Sequence, residues 1–296
     1  MLKPNLKAVG LGATLYVPAI NSALVELGNL QKYDNLRSLV YCTEDAVSER
    51  DLPKALDNLT RTLTSLKKVP LMRFIRPRNP RVLKIILGFK GLENIDGFVL
   101  PKADAQTLPT YFEILENHPR FLVMPTVETA VAFDLLPLYS LRDFLVASPL
   151  KDRVLAIRIG ALDLSSLLGL RREPGDTVYD GPLGHVIDQL VTVFRPVGFA
   201  LTAPGCEFLN DHDLLHRELA QDAARGLLGK TALHPDQVAV IHGAYMVSAN
   251  DLAMAKAIND PARPAVFRLN DRMCEKAVHT NWALTTERRA EIYGIK

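Results

Sequence analysis

The sequence predicts an α/β fold, a (β/α)8 TIM barrel with a C-terminal helical extension, and three observations carry that expectation. Eight short apolar or β-branched runs recur along the chain, each followed by a longer stretch with helical spacing. The chain has 296 residues, and a barrel of about 250 residues plus an extra segment fits that length. An open doubly wound sheet usually stops near about five or six strands, so eight such units call for a closed parallel barrel.

In order, the strand-like runs are ATLYVPA (13–19), SLVYCTED (38–45), LMRFIRP (71–77), GFVLPK (97–102), FLVMPTVE (121–128), VLAIRIGALD (154–163), GFALTAPG (198–205) and GKTALHP (229–235). Helical spacing is clearest over residues 51–66, 108–117, 129–141 and 183–194. The stretch 171–182, rich in Pro, Gly and Asp, reads as a long loop after the sixth strand, and such loops in compact domains are often functional. The barrel is assigned to residues 1–248. Ser248, with Asp251 three residues on, has the pattern of a capping box that opens a ninth helix. Pro261 and Pro264 then break the chain, and a last helix is expected over 271–292. Residues 249–296 are surplus to the barrel and are expected to form a helical extension or lid, packed beneath the barrel or against a neighbouring subunit.

Composition excludes several classes. Apolar residues make up 48% of the chain, enough for a large core, and 35 basic against 33 acidic residues leave a net charge of +2. No basic stripe stands out, which argues against nucleic acid or an anionic membrane as partner. No apolar run reaches the length of a membrane span, and the N-terminal stretch lacks a signal-peptide pattern. Three scattered cysteines without a CxxC fit a reducing, cytoplasmic compartment.

In a parallel barrel the βα loops open at the carboxyl ends of the strands, and active sites gather there. Polar residues fall at just those ends: Glu44 and Asp45, Arg76 to Asn79, Lys102, Glu128, Asp163 and His234. Strand ends also return the chain to water, so the convergence of the set carries more than any single residue. Glu128 and Asp163 would end adjacent strands. Two such carboxylates repel unless a cation lies between them, and Mg²⁺ is commonly held by one or two carboxylates with water and substrate oxygens. The other reading of Glu128 is as a helix N-cap. Gly10-Leu11-Gly12 precedes a strand and lacks the third glycine of a dinucleotide fingerprint; Gly229-Lys230-Thr231 enters a strand where a phosphate loop would leave one. His212 and His216 have zinc-like spacing without a third ligand, and Cys42 and Cys206 have no histidine at a supporting distance in sequence.

Six segments in order, LYVPA, RSLVYCTEDAV, GFVLPKAD, VETA, GALDLSSLLG and GLLGKTALHPDQV, resemble those of the citrate lyase beta-subunit-like branch of the HpcH/HpaI aldolase family. That family lies within the phosphoenolpyruvate/pyruvate barrel superfamily. The resemblance implies a Mg²⁺-dependent carbon–carbon bond lyase, working by retro-aldol or retro-Claisen cleavage or the reverse on a small carboxylate substrate, with a CoA thioester as one option. It makes Glu128 and Asp163 the metal ligands, and it makes Arg76, with Arg78 as rival, the clamp on substrate oxygens. Lys102, Gly160, Ala161 and Leu162 would also contact substrate. Glu44 would order water near the metal, with Glu44, Asp45 or a neighbouring subunit's Glu275 as general base. A surplus helical arm with an apolar face is expected to bury it in a symmetric assembly, so a homotrimer or hexamer is expected. Cys42, Leu162 and Leu167 replace acids of the family pattern, and in this the chain looks like the divergent citrate-lyase-like proteins linked to tellurium-resistance gene clusters. A metal-dependent acyl-thioester hydrolase and a non-catalytic ligand-binding subunit stay open as alternatives.

Overall fold

The computed structural model describes residues 6–296. Eight parallel strands form one sheet: β1 (Ala13–Pro18), β2 (Ser38–Cys42), β3 (Met72–Arg76), β4 (Gly97–Leu100), β5 (Leu122–Val127), β6 (Ile157–Ile159), β7 (Leu201–Thr202) and β8 (Lys230–Ala232). Neighbours run β7-β6-β5-β4-β3-β2-β1-β8. A bridge between Ala203 and Lys230 joins the two outermost strands, so the barrel closes.

The helices are α1 (Leu6–Val9), α2 (Leu24–Gly28), α3 (Leu52–Ser65), α4 (Pro80–Leu87), α5 (Leu108–Glu116), α6 (Leu135–Ala147), α7 (Ala161–Leu167), α8 (Pro182–Phe194), α9 (His212–Ala224), α10 (Asp236–Tyr245), α11 (Ala249–Asn259) and α12 (Lys276–Tyr293). In α3, Ala55, Leu59, Thr62 and Leu63 are buried, a stripe at helical spacing that faces the sheet. No helix among the described residues is long and apolar enough to cross a membrane.

The two-residue period of the strands decides what the barrel encloses. Ile75, Val123, Ile157 and Ile159 point outward into the layer between sheet and helices. Val40, Phe74 and Met124 point inward, where Ala8, Val9 and Leu11 join them at the base. Residues two positions on from this inward set are therefore aimed at the mouth. They are Cys42, Arg76 and Thr126, with Glu128 two residues beyond Thr126, just past the end of β5.

Two expectations are corrected here. Residues 129–141 are not one helix: a single 3-10 turn, Ala130–Phe133, comes first, and Asp134 then caps α6 by accepting from Leu136 N–H at 2.9 Å. Nor does the last helix begin at Asp271. Asn270 and Asp271 have φ of 50° and 58°, the left-handed pair that a tight hairpin turn needs. They join β9 (Val266–Leu269) to β10 (Arg272–Glu275) in an antiparallel pair, and α12 starts only at Lys276. Ser248 does cap α11, its hydroxyl accepting from Asp251 N–H at 3.0 Å and donating to the Asp251 carboxylate at 2.8 Å. The extension folds against its own barrel: α12 packs along α11 and also reaches α1. There the Tyr293 hydroxyl donates to Val9 O at 2.6 Å. This is the base, opposite the mouth.

His242 on α10 also works at the base. Its Nε2 accepts from Ala13 N–H at 3.1 Å, which requires the neutral ring. Burial, with a smaller contribution from Arg37, pushes its pKa down to about 4 from 6.5. The unfolded chain then binds the extra proton between those values. This contribution to stability is complete above pH 6.5 and is lost as pH falls toward 4, up to about 3 kcal/mol. Urea unfolding at pH 7 and pH 4.5 should show the loss, and His242→Gln should reduce it; an unchanged pH slope in that variant would exclude His242 as its source.

Candidate functional site

The segment Arg76-Pro77-Arg78-Asn79-Pro80 shows how local sequence places a functional side chain. Pro77 has no N–H to continue the ladder, so β3 ends on Arg76, whose carbonyl accepts from Thr43 N–H at 3.0 Å. Asn79 then caps α4 through Val82 N–H at 2.9 Å, with Pro80 at the first helical position. The two candidate arginines part company here. Arg76 turns into the mouth: its Nη2 lies 2.6 Å from Glu44 Oε2 and 3.8 Å from Asp45 Oδ2, and its Nη1 lies 3.9 Å from Glu128 Oε2. Arg78 donates to the carbonyls of Val47 and Glu44 instead, and so props the loop after β2.

Glu128, one residue past β5, is 2% exposed. Its Oε1 accepts from Lys102 N–H at 2.9 Å, so it bridges to the neighbouring strand and is not a helix N-cap; Thr129 holds that position. Gly160 makes the room, since a Cβ there would lie 2.4 Å from Glu128 Oε2. Burial pushes the Glu128 carboxyl up to about 7, although Arg76 and the Lys102 N–H oppose the shift. Burial also raises Glu44.

Asp163 does not end a strand as its sequence suggested. β6 stops at Ile159, and Asp163 sits in the first turn of α7. It still faces the mouth, because Lys102 reaches it. With φ of 52°, Lys102 takes the left-handed conformation that side chains seldom adopt. From there its Nζ lies 2.7 Å from Asp163 Oδ1, 3.1 Å from Asp45 Oδ2 and 3.6 Å from Glu44 Oε1. A residue held in a sparsely populated conformation while its ammonium bridges acids from two other elements points to function.

Asp45, Arg76, Glu128 and Asp163 border a cavity of about 640 Å³. Gly160, Ala161 and Leu162 line it beside Asp163, and Leu162 is 51% exposed at its rim. Glu275 is not brought to this mouth by its own chain; it precedes α12 in the extension. His234 lies on the surface with Nδ1 accepting from Asp236 N–H at 3.3 Å, and His212 and His216 are exposed on α9. Cys42 and Cys206 are both buried.

Sequence reasoning missed Arg158. It points inward from β6, is 1% exposed, and crosses the barrel to Thr231 Oγ1 at 2.6 Å and Thr14 Oγ1 at 3.3 Å. Its guanidinium also lies over the Tyr16 ring, 5.1 Å from the centroid. The signal was present: a charge between two isoleucines in a strand falls on the opposite face from both.

The donor set can be tested for a divalent cation. Glu128 is a buried carboxylate with its Oε2 3.9 Å from Arg76 Nη1, and an ammonium already stands among the oxygens of Asp163, Asp45 and Glu44. Among the described residues no three His, Cys, Asp or Glu side chains form a ready cage. Two carboxylates with other ligands from water and substrate suit a hard octahedral cation such as Mg²⁺ and do not suit zinc. The residues fit such an ion.

A closed barrel with acids and an arginine gathered at one mouth is the frame of many enzymes, and comparison narrows it. The chain belongs to the C-C_Bond_Lyase family of the TIM-barrel fold, whose model matches residues 5–295. Among curated proteins it is similar to a citrate lyase subunit beta-like protein of Deinococcus radiodurans, 31% identical over 109 residues. That match spans 37% of this chain and 37% of the relative. A crystal structure of CitE from Mycobacterium tuberculosis with magnesium, acetoacetate and coenzyme A has the same fold. Its TM-score is 0.69 at 23% identity, covering 96% of this chain and 99% of that one. RipC from Yersinia pestis is also similar, with a TM-score of 0.60 at 19% identity, covering 82% of this chain and 98% of that one.

Proposed function

We propose that this protein makes or breaks a carbon–carbon bond beside a carboxylate, on a 2-oxo acid or β-hydroxy acyl substrate, with Mg²⁺ held by Glu128 and Asp163. The observation that carries the reading is the convergence of the buried Glu128 with Arg76 and Asp163 on one cavity, with Lys102 paired to Asp163 beside it. Similar proteins add support: CitE of M. tuberculosis has been crystallised with magnesium and oxaloacetate, and with magnesium, acetoacetate and coenzyme A.

When bound, magnesium supplies a Lewis acid for the charge that develops on substrate oxygen. Arg76, already fixed by Glu44, presents its guanidinium to the substrate's carboxylate and carbonyl oxygens without reorganising. Lys102, which pairs with both Asp163 and Asp45, would keep Asp45 in place while Asp163 and Glu128 would hold the ion. Asp45, 54% exposed at the rim, takes the proton from the substrate hydroxyl in the cleavage direction and returns it in synthesis. Glu44 holds Arg76. The buried floor keeps bulk water from the cleaved bond.

Calorimetry tests the metal assignment. The parent protein should take up Mg²⁺, whereas Glu128→Gln and Asp163→Asn should each lose at least about tenfold in affinity, with unchanged circular dichroism. Full uptake by the double variant would remove both residues from the metal site. The chain also works as a homo-oligomer in this proposal: Val266, Met273, Val278 and Trp282 leave an apolar set exposed on the extension. Light scattering that finds a monomer at micromolar concentration would refute the oligomer and strike Glu275 from the site.

A further inference from the structure

A second cavity, of about 560 Å³, lies at the base of the barrel, at the end away from the mouth. One wall is the barrel itself, with Val9, Phe199 and the turn from Gly226 to Gly229 that leads into β8. The other is a face of α12, on which Asn281, Trp282, Thr285, Thr286 and Arg289 recur at helical spacing. A helix that only closed the base would turn apolar side chains toward the barrel. This face is largely polar, and it leaves a space within the usual range of small-molecule pockets, about 300–1,000 Å³.

The charge in that space is of one sign. Its lining holds Arg195 and Arg289 and, among the described residues, no Asp or Glu. Arg289 is fixed on the last carbonyls of α10, its Nε donating to Tyr245 O at 3.1 Å and its Nη2 to Ala244 O at 3.4 Å. Arg195, at the end of α8, is half-buried, and its side chain makes no hydrogen bond or ion pair among the described residues. Burial lowers the pKa of both, and at Arg195 no acid opposes it. Tyr245, 6% exposed, has a hydroxyl with no acceptor among the described residues. An uncompensated guanidinium and an orphaned buried hydroxyl are each costly to hold out of water, and one bound anion would satisfy both. Trp282 adds a flat apolar ring to the same space.

We propose that Arg195, Arg289, Tyr245 and Trp282 form a second ligand site, for a small molecule that carries a phosphate or carboxylate on a flat unsaturated ring. The guanidiniums take the anion, Arg195 through its forked face, and the Tyr245 hydroxyl donates to one of its oxygens. The ring lies against Trp282. No residue among those described lines both this cavity and the mouth, so the site stands apart from the proposed lyase chemistry. Since the barrel forms one wall and α12 the other, a bound ligand also ties the extension to the barrel and should raise the melting temperature.

The chain has one tryptophan, so the fluorescence of Trp282 reports on this site directly. The full chain, in buffer with EDTA to keep metal from the mouth, is titrated with adenosine monophosphate and with benzoate. At least one should change the emission with saturation, and the tighter of the two identifies the anion as phosphate or carboxylate. Adenosine and inorganic phosphate, each with only half of the required chemistry, should bind at least about tenfold more weakly than adenosine monophosphate if phosphate is the anion. Arg195→Met should lower the affinity of the tighter probe at least about tenfold without lowering the melting temperature, because it removes a charge that has no partner. Tyr245→Phe should lower it by a smaller factor, and Glu128→Gln, at the mouth, should not change it. No saturable change with either probe at millimolar concentration, or undiminished affinity in Arg195→Met, would overturn the site.

Discussion

Replacing Gly160 by alanine is expected to disable the site although alanine is the smallest possible change. The new Cβ would lie 2.4 Å from Glu128 Oε2 and 2.5 Å from Glu128 Cβ. The second of these atoms is fixed to the backbone and cannot swing away, so Glu128 or the β6–α7 junction must move. Overpacking of this kind costs about 1–3 kcal/mol. The functional cost is larger, because misplacing a reacting geometry by about 1 Å costs on the order of 100-fold. Magnesium affinity and turnover should both fall by about that factor in Gly160→Ala, while the barrel still unfolds cooperatively. Gly181→Ala is the control, since nothing lies within 4 Å of a Cβ placed there. Full activity in Gly160→Ala would show that Glu128 tolerates displacement and is not a metal ligand.

The second large effect concerns the two arginines. Arg76→Met should lower kcat/KM by about 100- to 1,000-fold, the usual cost of one well-placed donor to developing charge. It should also destabilise the fold by about 3 kcal/mol, because the buried Glu44 loses its closer cation and keeps only Lys102 at 3.6 Å. Arg78→Met removes support from the loop that carries Asp45 and should cost less than about tenfold. Arg76→Lys should recover part of the charge but not the forked contact. Equal losses at Arg76 and Arg78 would mean that loop position, and not the guanidinium of Arg76, governs the reaction.

The eight βα units were legible because each strand is a compact apolar run followed by helical spacing, a pattern that survives small errors at its ends. Glu44, Asp45, Arg76, Lys102 and Glu128 were legible as strand-end residues for the same reason. Asp163 borders the mouth from the first turn of α7 and not from the end of a strand. The run VLAIRIGALD reads as one strand, yet Ala161 and Leu164 bury themselves at helical spacing and start α7 after Gly160. Arg78 could not be separated from Arg76 by periodicity, since both share one face of a strand; the turn at Pro77 separates them. The hairpin at 266–275 was hidden because Arg, Met, Glu and Lys favour a helix, whereas Asn270-Asp271 dictates the turn. Arg158 was passed over because its neighbours make a convincing strand.

The hydrogen bond from Tyr293 to Val9 spans 284 positions of sequence. β1 likewise needs β8 to pair one of its two edges. Both contacts pair the opening segment of the barrel with segments made more than 200 residues later, so their loop-closure entropy must be met late. During synthesis, a chain that has not yet emitted residues 230–232 would present β1 with one unpaired edge. Such an edge recruits other strands and favours association of nascent chains. This molecule is therefore expected to fold slowly and after release, and to gain more from chaperone protection than its balanced surface charge would suggest.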